Sequence, residues 1–161
     1  MDRSITLALD VAADASTVFR ALSTTAGQRA FWTADCDVQA DRARFGFAAA
    51  PVDLQVAVRT EPGKLVRMHV TSGFPFWEAS TWEWELGEAA RTDTGTGVLF
   101  RHHGFADGYP ETDLAYTAQT WAMILDRLAG YVTSGTPQPY FPETPGMKPG
   151  PERTTLNDGR R

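Results

Sequence analysis

The chain has 161 residues, 42% of them apolar, and carries 15 Lys and Arg against 20 Asp and Glu for a net charge of -5. That length holds one domain with one core and a tail, and an acidic balance with no basic cluster excludes a nucleic-acid backbone or an anionic membrane as the main partner. No run is long and apolar enough to span a bilayer, so membrane insertion is excluded as well.

Met1-Asp2-Arg3-Ser4 leads straight into Ile5, Leu7, Leu9 and Val11, which alternate with Thr6, Ala8 and Asp10. That is the period-two signature of a strand with one buried face, and with no apolar signal segment ahead of it the chain reads as cytoplasmic. Asp14 stands at an N-cap position before residues 15–22, where Val18, Phe19 and Leu22 mark a short amphipathic helix. A second short helix follows, capped by Thr24 or Thr25, carried by residues 28–31 and ended by the Phe31-Trp32 pair. Cys36 is the single cysteine and lies in no CxxC or Cys/His spacing, which predicts a buried, inert thiol.

From Cys36 onward the sequence breaks into short strands at 37–40, 43–48, 52–59, 65–71, 80–86 and 97–104. Glu61-Pro62-Gly63-Lys64 joins two of them as a hairpin, because Pro presets one central turn position and Gly accepts a positive φ at the next. Arg91-Thr92-Asp93-Thr94-Gly95 separates the last two. Short turns between neighbours predict an antiparallel meander. The one long helix spans 111–132, about twenty residues and roughly 30 Å. Pro110, Glu111 and Asp113 suit its start, and Ser134-Gly135 with Pro137 its stop. Leu114, Thr117, Trp121, Ile124, Leu125, Leu128 and Val132 form one stripe along it. Prolines 137, 139, 142, 145, 149 and 151 make 136–161 an extended tail with a disordered end. Tyr140 and Phe141 are positioned to anchor 136–142 on this subunit or on a partner. The chain contains no internal repeat, and its organisation reads as a domain over 1–135 and a proline-rich tail over 136–161.

Taken in this order, five motifs resemble the START-like (SRPBCC, polyketide cyclase) superfamily. They are Asp14-Ala15-Ser16-Thr17-Val18-Phe19-Arg20-Ala21-Leu22, Phe31-Trp32, Glu61-Pro62-Gly63-Lys64-Leu65, Phe100-Arg101-His102-His103-Gly104-Phe105, and the stretch from Trp121 to Pro137. More narrowly they are similar to the domain related to the activator of the heat-shock protein 90 ATPase. The likeness covers roughly residues 4–137. It implies an α+β helix-grip fold: a curved antiparallel sheet of about seven strands around a long C-terminal helix, with two short helices after the first strand and an apolar cavity between sheet and helix. It also implies a membership that mixes lipid carriers, polyketide cyclases and co-chaperone modules.

Trp82, Trp84 and Leu86 share one strand face, and Val98, Phe100 and His102 can share the same face of the neighbouring strand. With Trp32, Trp77, Trp121 and Leu125 these aromatics are candidates to line a ligand cavity. Plain core packing explains the same cluster, since each buried ring contributes on the order of 2 to 3 kcal/mol. The Gly73-Phe74-Pro75-Phe76-Trp77 loop is either a lid over the cavity or a packed Ω-like loop. His102 can be a polar contact or an acid/base in the cavity, or a core histidine bonded to a neighbour. His102 and His103 face opposite ways and His69 is the only other histidine, so no metal site is expected. Asp35, Asp37, Glu83 and Glu85 read as solvated. No catalytic triad, phosphate loop or dinucleotide fingerprint is present, and no cofactor is expected. Three functions follow: binding of a small apolar or aromatic molecule, a cyclase or aromatase acting on such a molecule, and a co-chaperone-like interaction module. The partners to expect are that small ligand and, in a homodimer, a second copy of the chain.

Overall fold

Seven strands and three helices organise residues 3–143, which the computed structural model describes. Strand β1 (Ser4–Val11) is followed by helices α1 (Ala15–Ser23) and α2 (Thr25–Phe31). Strands β2 (Cys36–Val38), β3 (Arg42–Phe45), β4 (Leu54–Glu61), β5 (Leu65–Ser72), β6 (Thr81–Glu88) and β7 (Thr96–His103) come next, then helix α3 (Glu111–Ser134). Every strand pair is antiparallel and the order is β1-β7-β6-β5-β4-β3-β2. The meander predicted for the middle of the chain therefore forms. What the turns do not dictate is where β1 goes: it pairs with β7 along its whole length, Ser4 opposite His103 and Val11 opposite Thr96.

Local chemistry sets the corners. Asp14 accepts the Thr17 N–H at 2.8 Å and the Ser16 hydroxyl at 2.9 Å, satisfying the start of α1. Thr24 does the same for α2 by accepting the Gly27 N–H at 3.1 Å. The two helices approach closely because Gly27 has no side chain: a Cβ there would stand 2.0 Å from the Ala21 carbonyl oxygen. The β6–β7 connector is pinned to β1 by Asp10, whose carboxylate accepts N–H groups from Ala90, Arg91 and Thr92 at 2.8, 2.7 and 3.1 Å. Those backbone donors hold its carboxyl below the usual range.

Helix α3 has 24 residues, about 36 Å at 1.5 Å per residue, slightly more than its apolar spacing predicts. Trp121, Ile124, Leu125 and Leu128 of the expected stripe are buried on the sheet, while Leu114, Thr117 and Val132 are half-buried. Gly135 closes the helix at φ 74°.

Beyond Gly135 the chain turns back and runs beside the end of α2. Gln138, Tyr140 and Phe141 donate their N–H groups to the carbonyls of Ala30, Phe31 and Trp32 at 2.8, 3.2 and 2.8 Å, and Ala34 N–H returns to Phe141 at 2.9 Å. These acceptors are helix-end carbonyls that α2 leaves unpaired. Pro137 and Pro139, which have no N–H to satisfy, flank the donating Gln138, and Pro142 follows the donating pair Tyr140 and Phe141. The expected disorder of the tail's end concerns residues outside those described. Among the described residues no helix is long and apolar enough to cross a membrane.

Candidate ligand cleft

Strand register brings Trp82, Trp84 and Leu86 opposite His102, Phe100 and Val98, all on the buried face. Trp121 descends from α3 into the middle of this group, with ring centroids 4.6 Å from Phe100, 5.6 Å from Trp82, 5.9 Å from His102 and 6.3 Å from Trp84. The rings interdigitate so fully that Trp82, Trp84, Phe100 and His102 are 0% exposed. The indole N–H groups of Trp82 and Trp84 have no hydrogen-bond partner. Both rings meet a neighbour almost perpendicularly, Trp82 with Trp32 at 5.5 Å and 89°, Trp84 with Trp121 at 6.3 Å and 84°. In that geometry the positive edge of one ring faces the π cloud of the other.

His102 belongs to a directed chain of hydrogen bonds. Trp121 can only donate through its indole nitrogen, so at 3.1 Å it makes His102 Nδ1 the acceptor. The proton of the neutral ring then sits on Nε2 and is donated to Ser80 Oγ at 3.0 Å, and Ser80 donates onward to the Trp77 carbonyl at 2.6 Å. Burial, reinforced by the neighbouring His103, pushes the His102 pKa down to about 3. Both nitrogens are occupied within the protein. His102 is thus a core histidine whose bonds join β7, α3 and the loop ahead of β6, and the expectation of a polar contact for a ligand at this residue is corrected.

Space remains at one end of the sheet–helix layer. A cleft of about 350 Å³ lies between the first half of α3, the turn after β3, the loop before β6 and the tail. Trp32 and Trp121, two of its deeply buried walls, are 5.1 Å apart. Phe74 and Trp77 enter from the loop, the latter near-parallel to Trp121 at 6.2 Å. Phe47, Ala49 and Ala50 come from the turn, and Phe141 comes from the tail, edge-on to Phe47 at 5.1 Å. Helix α3 contributes Tyr116, Thr117, Thr120 and Ile124.

Of the residues proposed from sequence, Trp32, Trp77 and Trp121 line this cleft. Trp82, Trp84, Phe100, His102 and Leu125 do not: they lie in the core behind it, because the Trp121 ring fills the volume over the sheet centre that was expected to stay open. The loop containing Phe74 and Trp77 forms a wall. Sequence reasoning missed Phe47, Ala49, Ala50, Tyr116 and Thr120, which carry no periodic signal. Phe141 was legible only as a tail anchor.

Charge is kept out of the cleft: among the described residues none of its walls is a carboxylate, histidine, lysine or arginine. Two of the acids expected in solvent are instead tied down. Asp35 is buried against Arg44 at 2.9 Å, and Glu83 sits on the outer sheet face between Arg67 at 2.8 Å and Arg101 at 3.8 Å. Cys36 is fully buried, and burial pushes its thiol up to about 11. No group of three His, Cys, Asp or Glu side chains among the described residues converges as a metal site would.

No family model and no curated protein matches the sequence. Solved structures do. The Aha1 dimer from Colwellia psychrerythraea is 20% identical with a TM-score of 0.70, over 83% of this chain and 98% of that one. The chain has the START-like helix-grip fold. Two further helix-grip structures are similar. CalU16 from Micromonospora echinospora is 17% identical with a TM-score of 0.60, over 99% of this chain and 83% of its own. DynU16, from the dynemicin biosynthetic locus, is 19% identical with a TM-score of 0.67, over 87% of this chain and 51% of its own. At these identities the likeness concerns the fold. In this helix grip, the grip itself is packed solid at the sheet centre, and the open volume lies at the end where tail, loop and helix meet.

Proposed function

We propose that the protein binds a small apolar or aromatic molecule in this cleft. The observation that carries the reading is a cavity of about 350 Å³ walled by seven aromatic side chains from helix, turn, loop and tail, with hydroxyls as its only polar side-chain groups apart from the Trp indoles. Volumes of this size are ordinary for small-molecule sites. At interior packing density the cleft accommodates roughly 260 Å³ of ligand. Desolvating several rings against such a molecule supports micromolar affinity, about 8 kcal/mol. With no titrating carboxylate or imidazole in the lining, the arrangement favours binding over acid–base catalysis of the cyclase kind.

Three of the five tryptophans line the cleft, so emission reports its occupancy. Titration with a panel of uncharged aromatics, flavonoids and fatty acids should shift or quench fluorescence saturably for the aromatic members. Thr120→Phe, which places a ring in the cleft from the helix surface, should abolish that response while the protein stays folded. A saturable response that survives Thr120→Phe unchanged would place binding elsewhere and sink the proposal.

A further inference from the structure

Two hydroxyls on one face of α3 give the cleft a polarity. Trp77 Nε1 donates to Tyr109 Oη at 3.2 Å, and Tyr109 Oη lies 2.8 Å from Thr117 Oγ1. The phenol oxygen is an acceptor in the first bond, since an indole nitrogen can only donate. Of a phenol and an aliphatic alcohol the phenol is the stronger acid and so the better hydrogen-bond donor. It is also the poorer acceptor, so Tyr109 donates in the second bond. Thr117 Oγ1 therefore accepts that hydrogen bond and keeps its own O–H free to donate. Helical threonines commonly spend theirs on the carbonyl one turn back, as Thr133 does on Ala129 at 2.7 Å. Among the described residues Thr117 makes no such bond, and the hydroxyl of Thr120, three residues on, has no hydrogen-bond partner. Both line the cleft.

We infer that the cleft is built for an uncharged aromatic molecule carrying a carbonyl oxygen, with its rings among Trp32, Trp77, Trp121 and Phe141 and the carbonyl accepting the Thr117 hydroxyl. This rests on the binding function proposed above and adds the ligand's polar group and its orientation. A free donor beside a ring-lined wall selects an acceptor oxygen, and without a cation among the described lining residues a neutral oxygen is preferred over a carboxylate. Thr120 stands beside the same edge as a second hydroxyl, able to donate or accept.

The test uses the full chain and a matched pair of probes, 9-fluorenone and fluorene, which differ by one carbonyl. Fluorescence titration of the wild type should show fluorenone bound about three- to tenfold more tightly, the range one net hydrogen bond supplies. Thr117→Val should erase that preference, so that the two probes bind alike, and Thr117→Ser should restore it. Equal affinity of the two probes for the wild type, or a preference that survives Thr117→Val, overturns the inference and leaves the cleft as a site for apolar molecules. If Thr117→Val weakens both probes equally, Thr117 acts only by holding Tyr109 and Trp77 in place, and the inference also falls. Failure of both probes to bind the wild type removes the binding function together with the inference.

Discussion

Replacing His102 with glutamine should remove a large part of the protein's sensitivity to mild acid. In the folded chain the imidazole is 0% exposed, Nδ1 is occupied by the Trp121 N–H, and burial pushes its pKa down to about 3. In the unfolded chain it titrates near 6.5. Between these values the unfolded state holds one proton that the folded state refuses, so stability is full above about pH 6.5 and falls as pH drops, by roughly 1.4 kcal/mol per unit. Integrated from pH 7 to pH 5, the loss is about 2 kcal/mol, a substantial share of the 5 to 15 kcal/mol that holds a typical domain together. In urea, with a slope near 2 kcal/mol per molar, the wild-type midpoint should drop by about 1 M over that interval. His102→Gln keeps a donor for Ser80 and an acceptor for Trp121 but does not titrate. The variant should be less stable at pH 7, from poorer fit, yet lose far less between pH 7 and pH 5. The quantity to read is the difference between the two pH slopes, in which contributions from Asp10, Asp14 and the other carboxylates cancel. Equal slopes for wild type and variant would refute the buried, neutral assignment.

Phe141→Ala should detach the tail from α2. Native-state hydrogen exchange at the amides of Gln138, Tyr140, Phe141 and Ala34 should then accelerate together by at least severalfold; unchanged exchange would mean that the backbone bonds hold the strap without the ring. Cys36, buried and with its thiol raised to about 11, should resist iodoacetamide at pH 8 until the protein is denatured, whereas rapid labelling of the native chain would contradict its burial. Gly27→Ala should cost about 3 kcal/mol or more, because the new methyl meets the Ala21 backbone. Gly130→Ala, with open space around its Cβ position inside α3, should stabilise by up to about 1 kcal/mol. Thermal melts of the two glycine variants side by side check both, and similar melting points would discredit the close α1–α2 approach.

The sequence by itself determined the order of elements, the capping residue Asp14 with Thr24 or Thr25 as the next cap, the Glu61-Pro62-Gly63-Lys64 hairpin and the inward face carrying Trp82, Trp84, Phe100 and Trp121. Each is a local or periodic matter: a side chain within three residues of the N–H it caps, a turn that needs one positive φ, or an alternation that sends every second residue to the core. The tail's anchors were legible too, as two aromatic residues among prolines. Which inward residues touch one another, and where volume is left over, is not local. It depends on how deeply Trp121 inserts between sheet and helix, and that depth is set by packing among rings more than a dozen residues apart in sequence. The tertiary structure therefore decided that the cluster at the sheet centre closes completely, that both His102 nitrogens are consumed inside it, and that the cleft opens instead between Phe47, Phe74, Thr117 and Phe141. Those four residues come from a turn, a loop, a helix and a tail, and no spacing rule connects them.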